Sequence, residues 1–371
     1  MPSVNEELAD AATSHAVDLQ HYSNGIVYRI LSLLNRVDSD LFAQLTNALG
    51  NTDASTFTVD RIESLLISVR QLNARVYEQV TNELTTEMRQ LVGYEAGYQQ
   101  QLFETTIPPQ VVTSVGVGVV NIEQTYAAAM ARPFQGVLLR EALTSLGDAR
   151  AKVIRDQIRI GFVEQQTTQQ IVQRLRGTKA RGYADGFMEA PRRNVEAIVR
   201  TAISHTAGFT RDRFYDANTD LIKAVQWVST LDTRTSEPCR IRDNLRYGPV
   251  DHRPIGHAVP WLGGPGRLHW NCRSSSVPIT KSWRELGLNI DDFSPTTRAS
   301  MDGQVAADMS YADWIKKQPA SRQDQILGAD RGKLLRDGGL TLDKFYNDKG
   351  VYLTLDELRK RDAAAFKRAG V

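Results

Sequence analysis

The chain has 371 residues, of which 41% are hydrophobic and 24% are charged, and its formal net charge is +2. A chain of this length and composition is typical of a globular protein with two or three domains. It has no apolar run of the roughly 18 to 20 residues that a membrane span requires, and its N-terminus lacks the basic start of a signal peptide. Two cysteines cannot supply a disulfide framework. We therefore expect a protein made and folded in a cytoplasm, whose cysteines are thiols or metal ligands.

The small net charge conceals a gradient along the chain. Residues 1–130 contain 6 Lys and Arg against 15 Asp and Glu, whereas residues 131–213 contain 15 against 8. The candidates for contacts to DNA phosphates are the cations of this basic segment: Arg174, Arg176, Lys179, Arg181, Arg192 and Arg193. In the other interpretation, these charges lie on solvated helices and serve no partner.

The first hundred residues have the periodicity of long helices. Apolar residues recur at helical spacing over 26–49, and the pattern breaks at Asn51-Thr52-Asp53. A second series starts at Ile62, contains no proline and no glycine before Gly93, and stops by Ile107-Pro108-Pro109. This series predicts one helix of about 40 residues, of the kind that packs on other long helices.

Shorter elements follow. The β-branched stretch 111–120 predicts a short strand or an extended connector. The apolar patterns predict helices over 124–131, 138–160, 171–175 and 192–215, strands over 224–229 and 274–279, and tail helices near 311–318 and 355–369. In the span 248–266, nine of nineteen residues are Gly or Pro, so we expect a loop. The predicted fold is α+β and predominantly α-helical, elongated, with long N-terminal helices and a small α+β core domain that carries a Cys/His loop.

Both cysteines and three of the six histidines lie between residues 227 and 279. Thiolate and imidazole are ligands that zinc prefers, so Cys239, His269 and Cys272 are candidate ligands of a structural zinc ion. A structural site needs a fourth ligand, for which the candidates are His257, His252 and Asp232. Two other interpretations stay open: a Cys239–Cys272 disulfide formed on oxidation, and two buried thiols beside a hydrogen-bonded histidine.

Catalysis has less support. By residue type, Cys239, His269 and Asn271 could be a nucleophile, a base and an orienting group. However, neither cysteine lies in a glycine-flanked turn that opens a helix, the setting that lowers the pKa of a thiol. The sequence has no Walker-type loop and no GxGxxG, HExxH or GxSxG motif. We therefore expect that the chain is not an enzyme.

The order of these residues resembles the head-morphogenesis domain of phage Mu F-like minor head proteins. The matching features are a helix with Arg200-Thr201, a strand that ends in Trp227, the turn Asp232-x-Arg234-Thr235-Ser236, Cys239, a variable loop, His269-x-Asn271-Cys272-Arg273, and the tail segments Tyr311-Ala-Asp-Trp314 and Gly338-Gly339-Leu340. The resemblance covers roughly residues 130–345. This chain departs from the pattern at Ser274, where many relatives carry a second cysteine, the most natural fourth zinc ligand.

We predict a division into an N-terminal long-helix region over 1–125, which the resemblance does not cover, a Mu F-like head-morphogenesis domain over 126–285, and a C-terminal α+β tail over 286–371. The resemblance also implies a structural minor capsid protein, assembled in the host cytoplasm and located in the phage head interior near the portal vertex. The implied partners are the portal protein, the major capsid or scaffold protein, and packaged double-stranded DNA bound without sequence specificity. No membrane takes part during assembly, and some relatives leave the head with the DNA.

The residues expected to shape the core of this domain are Trp227, Asp232, Arg234, Asn271 and Arg273. The alternative function is a zinc-dependent hydrolase or toxin-like effector delivered with the phage DNA.

Overall fold

A computed structural model describes residues 4–50, 59–287, 297–306 and 308–371. Helices dominate these residues, and the β part is small. The helices are α1 (Val4–Gly50), α2 (Val59–Thr106), α3 (Pro109–Val115), α4 (Ile122–Met130), α5 (Leu139–Val163), α6 (Thr168–Arg176), α7 (Glu189–Ala217), α8 (Glu237–Arg240), α9 (Tyr311–Lys316), α10 (Ala320–Leu327), α11 (Ala329–Arg336), α12 (Leu355–Arg361) and α13 (Ala363–Ala369). The strands are β1 (Ile222–Val228), β2 (Arg246–Tyr247), β3 (Pro254–Ile255), β4 (Ser275–Thr280), β5 (Thr297–Ser300) and β6 (Gly303–Ala306).

The predicted long helix is confirmed as α2, which has 48 residues. It ends at Thr106 because two prolines follow at positions 108 and 109, and a proline removes a backbone donor and clashes with the preceding turn. The first helix, α1, has 47 residues, and the predicted break at 51–53 lies outside the described residues. None of the helices in the described ranges is long and apolar enough to cross a membrane.

The main sheet has four strands in the order β3-β2-β1-β4, and all its pairs are antiparallel. The central pair aligns Trp227 with Ser276 and Val228 with Ser275. A separate hairpin pairs β5 with β6. The predicted fold class is confirmed: the described chain is mainly α-helical with a small antiparallel sheet, and it contains a Cys/His cluster.

The chain divides into two compact units, each assembled from separate segments. The sheet unit comprises Met1–Leu19, Val92–Ala129 and Ser204–Val371, and the helical unit comprises Gln20–Leu91 and Met130–Ile203. Because the long helices contribute to both units, these units do not follow the division at 125 and 285. That three-part division stays a prediction.

Each unit has its own buried core. In the sheet unit, one cluster surrounds Trp227 and Cys239 and a second surrounds Trp314 and Phe345. In the helical unit, leucines and isoleucines of α1, α2, α5 and α6 pack together. Helix α6 begins with a capping box, in which the Thr167 hydroxyl accepts a bond from the Gln170 backbone and the Gln170 side chain bonds back to the Thr167 amide.

The prediction of a strand or extended connector over 111–120 is wrong for its first half. Residues 109–115 form α3, since Pro109 at the first helical position has its φ fixed in the helical range and Val111 is fully buried against the aromatic core of the sheet unit. The short helices α10 and α11 lie in segments for which no helix was predicted. The other predicted helices and strands are confirmed to within a few residues, with two exceptions. Helix α1 begins at Val4, well before the predicted pattern at 26, and the last tail helix is split at Asp362 into α12 and α13.

Candidate metal centre

The topology of the sheet explains why two cysteines far apart in sequence meet. Strands β1 and β4 are antiparallel neighbours, so the chain that leaves β1 and the chain that enters β4 lie at the same end of the sheet. Cys239 follows β1 on the short helix α8, and Cys272 precedes β4 on a turn. The Gly/Pro-rich loop between them therefore starts and ends at one place.

At this place three side chains converge. The Sγ atoms of Cys239 and Cys272 are 3.8 Å apart, and His269 Nε2 is 3.2 Å from the Cys239 Sγ. The three ligand atoms all lie within 4.8 Å of one another. Both cysteines are free thiols and only 2% exposed, whereas the imidazole is partly accessible to solvent. The structure thus brings together all three residues that the sequence predicted as ligands.

The separations match a tetrahedral metal site. With zinc–sulfur bonds of about 2.3 Å, two thiolates at the tetrahedral angle lie about 3.8 Å apart, and a thiolate and an imidazole nitrogen lie about 3.6 Å apart. The observed sulfur–sulfur distance is 3.8 Å, and the observed nitrogen–sulfur distance of 3.2 Å requires only a small outward movement. The cluster is therefore placed to hold a metal ion.

The orientation of the imidazole supports this assignment. The Nδ1–H of His269 donates to the Trp270 carbonyl oxygen at 2.9 Å, which leaves the lone pair of Nε2 directed at the thiols. Metal-binding histidines usually have this backbone bond on the distal nitrogen. The turn places Asn271 in the left-handed region, with φ of 55°, a conformation that asparagine tolerates better than most residues.

Charge distribution in the cluster favours a thiolate. The hydrogen bond from the Cys239 thiol, together with the neighbouring His269 ring, lowers the pKa of Cys272 well below its usual range. The same bond to Cys272, with burial, raises the pKa of Cys239. The bond to Cys272 also raises the pKa of His269 against the opposing effect of burial. The lowered pKa of the Cys272 thiol therefore favours its thiolate, the form in which sulfur binds a metal.

The three candidates for a fourth ligand lie elsewhere. His257 Nε2 is 2.9 Å from the Arg246 carbonyl oxygen, and its ring packs edge-on against Tyr247. His252 stacks on Trp261. Asp232 forms an ion pair with Arg273. None of the three belongs to the Cys/His cluster.

A side chain that the sequence did not single out as a ligand stands next to the cluster instead. The Ser236 hydroxyl oxygen is 2.7 Å from His269 Nε2. Ser236 lies three residues before Cys239, at the N-terminus of α8. This spacing is not typical of metal ligands, so the sequence alone could not identify Ser236 as a neighbour of the cluster.

An ion pair holds the two arms of the cluster together. The Arg273 guanidinium donates two bonds to the Asp232 carboxylate, at 2.5 and 2.9 Å, just after Cys272 in sequence. Asp232 Oδ1 also accepts bonds from the Arg234 amide and the Thr235 hydroxyl, each at 3.0 Å, which closes a tight turn. Burial raises the pKa of Asp232, but its bonds to Arg273 outweigh burial and lower it. The Arg234 side chain itself is 80% exposed.

Trp227 packs in the same buried core as the two cysteines. Its side chain is fully buried, its Nε1–H donates to the Ser229 hydroxyl at 3.1 Å, and its ring meets Trp261 edge-on. The Ser229 hydroxyl in turn donates to the Cys239 carbonyl oxygen at 2.8 Å. The end of β1 is thereby joined to the helix that carries the first thiol.

The predicted DNA-contact residues differ in availability. Arg174 donates to the Glu164 carboxylate and Arg192 to the Asp38 carboxylate, so both are already paired within the helical unit. The Arg176 guanidinium lies over the Tyr183 ring. The remaining three residues are exposed, and we refer to them as the exposed basic trio: Lys179, Arg181 and Arg193.

Comparison of the chain with protein-family models, with curated proteins and with solved structures finds no match. Its function is therefore inferred from the residues of the site and their chemistry, because a fold by itself does not define a function.

Proposed function

We propose that the chain is a structural minor head protein of a tailed bacteriophage, which associates with the portal vertex during procapsid assembly. The observation that carries the proposal is the convergence of the motif residues. Trp227, Asp232, Cys239, His269 and Arg273, which carry the resemblance to Mu F-like proteins, surround one buried cluster in the sheet unit. A motif whose members meet in space is better support than the same residues scattered over the surface.

Most of the cluster's polar groups bond to one another and to nearby backbone, as expected of a structural centre. The two cysteines are 2% exposed, and the Asp232–Arg273 ion pair lies beside them. Such a centre stabilises a domain that must survive assembly pressure and DNA packaging. The proposed partners are the portal protein, the major capsid or scaffold protein, and double-stranded DNA contacted through exposed cations such as the exposed basic trio.

The test of this role is co-expression with the portal protein of the same phage. The portal carries the affinity tag, and the mass of the eluted complex is measured after size exclusion at 50 mM and 500 mM salt. We expect a complex of fixed stoichiometry at both salt concentrations, and the protein should also be found by mass spectrometry in purified virions. Absence of a complex at both concentrations, together with absence from virions, would contradict the proposal.

We further propose that the cluster binds one structural zinc ion through Cys239, His269 and Cys272. A water molecule held near the Ser236 hydroxyl would complete the four positions. Zinc content, measured after purification without added metal, should be one per chain and should fall to zero in Cys239→Ser and His269→Ala. The matched control is His257→Ala, which should keep its zinc because that ring lies on Tyr247. Equal zinc in His269→Ala and His257→Ala would contradict this ligand set.

Three protein ligands are also the arrangement of catalytic zinc sites, which keep one position open for water. This observation supports the second candidate, a zinc-dependent hydrolase or toxin-like effector delivered with the phage DNA. Zinc-loaded protein would then hydrolyse model peptide or phosphodiester substrates, and His269→Ala would abolish the activity. Zinc content of one per chain without any hydrolysis would favour the structural role.

A further inference from the structure

A groove in the helical unit takes no part in the site described above. Helices α2 and α5 pack closely where Gly147 faces Tyr77, since a Cβ at position 147 would lie 3.2 Å from the tyrosine ring. The Asn73 side-chain amide donates to the Gly147 carbonyl oxygen at 2.6 Å and fixes this contact. On one side of the contact the two helices leave a groove of about 560 Å³. Its volume is in the range of small-ligand sites.

The lining of the groove is predominantly cationic. Four basic side chains line it, Arg70 from α2 and Arg140, Lys152 and Arg155 from α5, against the two carboxylates of Glu78 and Asp148. Within the described residues, Arg70, Arg140 and Lys152 take part in no ion pair. Other arginines of the same unit, such as Arg29 and Arg174, do form ion pairs with glutamates. The lining thus has two more cations than carboxylates, and this excess leaves a positive potential in the groove.

We propose that this groove binds a phosphate-bearing anion. Guanidinium and ammonium groups are the side chains that proteins use for phosphate oxygens, and arginine contributes paired donors in a fixed plane. Asn73 is 5% exposed and its Oδ1 has no hydrogen-bond partner, so the floor also holds an unpaired acceptor for a ligand hydroxyl or amine. The phosphate belongs either to a free nucleotide or to a nucleic-acid backbone, and the groove shares no residue with the predicted DNA-contact set. The site would exist whether or not the protein enters a virion.

Binding to the full-length protein is measured with two probes, fluorescent ATP and a fluorescent 20-base-pair duplex. The groove variant is Arg70→Gln/Lys152→Gln, and the control is Arg36→Gln/Arg75→Gln. The control removes the same charge from two exposed arginines of the same unit that do not line the groove. We expect the groove variant to weaken binding at least tenfold and the control less than twofold.

A variant that fills the groove without a change of charge tests shape separately from electrostatics. Thr144 lines the groove and is exposed, so Thr144→Trp should fold and should block the ligand. Circular dichroism and the melting temperature of each variant establish that the fold is kept.

The two probes distinguish the sources of the phosphate. Tight ATP binding that changes little with salt indicates a nucleotide, whereas duplex binding that falls steeply between 50 and 200 mM salt indicates a DNA backbone. The proposal is overturned if the parent binds neither probe, if the groove variant and the control weaken binding equally, or if Thr144→Trp binds like the parent.

Discussion

A buried charge network in the sheet unit gives the sharpest stability prediction. Glu95 is fully buried on α2, where its Oε1 accepts a bond from Arg211 Nε at 3.0 Å and lies 2.9 Å from Arg211 Nη2. The carboxylate also bonds to His15 at 2.6 Å and accepts a bond from Gln99 at 3.0 Å. Arg211 is 3% exposed and reaches the Ser275 hydroxyl on β4. One carboxylate thus links α1, α2 and α7, and through Arg211 the sheet. We predict that Glu95→Gln strongly destabilises this unit.

The magnitude follows from two independent estimates. Burial raises the pKa of Glu95, but Arg211 and His15 outweigh burial and lower the pKa from 4.5 to about 2. This displacement corresponds to about 3 kcal/mol of stability at neutral pH. Removal of one partner from a buried ion pair costs about 3 to 5 kcal/mol, because the other charge is left buried without a counterion. We expect about 3 kcal/mol for Glu95→Gln.

Urea denaturation followed by tryptophan fluorescence measures this loss directly, because all five tryptophans lie in the sheet unit. The control is Glu104→Gln on the same helix, whose exposed side chain accepts a hydrogen bond from Gln100 and whose loss should cost under about 0.5 kcal/mol. The parent should lose this contribution as the pH falls from about 4.5 towards 2, because the folded-state pKa is the lower one. A Glu95→Gln free energy of unfolding within about 1 kcal/mol of the parent would refute the reasoning.

Three further predictions concern other parts of the molecule. Gly161→Ala should destabilise the helical unit by about 2 kcal/mol, because the added Cβ overlaps the buried Ile171 side chain. Gly25→Ala adds a Cβ in open space and should stabilise the same unit by up to about 1 kcal/mol. Urea denaturation followed by circular dichroism compares the two variants. Asp232→Ala and Arg273→Ala should each lower the free energy of unfolding by about 2 to 3 kcal/mol, and the double variant should lower it by little more. A double-mutant cycle that shows no coupling energy between the two residues would contradict a direct ion pair. Replacement of the exposed basic trio by glutamine should lower the salt dependence of duplex binding, measured by fluorescence anisotropy, and an unchanged salt slope would exclude those cations.

The sequence predicted best where one periodic signal continued for many residues. The helix α2 is predictable because its apolar residues recur at a single spacing over many turns. The strands β1 and β4 are predictable as strand-like runs, but their pairing is known only from the structure. The stretch 111–115 was misread because β-branched residues favour strands, and in the fold the two preceding prolines and burial of Val111 decide for a helix. Helix propensity is weak enough for such a context to dominate.

For the site, the candidate ligands could be predicted from the sequence, but the residues that contact them, such as Ser236, could not. Cysteine and histidine are rare and carry a recognisable chemistry, so Cys239, His269 and Cys272 could be identified as candidate ligands from the sequence, and the structure brings them together. His257 was a candidate because it lies in the same loop, but proximity along a loop says little about proximity in space, and its ring packs against Tyr247 outside the cluster. The Glu95–Arg211 network gave no signal, since its members are 116 residues apart and each looks like an ordinary helical charge.

The effect of metal removal on stability depends on which other contacts hold the loop between Cys239 and Cys272 in place. The cluster joins its ends, but the Asp232–Arg273 pair lies beside the cluster, and Arg267 within the loop pairs with Asp212 on α7. Zinc fingers unfold without metal because nothing else closes them. Here the other contacts remain, so chelation of the proposed zinc should lower the melting temperature by several degrees and leave the far-ultraviolet circular dichroism unchanged. Complete loss of helical signal on chelation would mean that the metal, and not the packed core around Trp227, holds the sheet unit together.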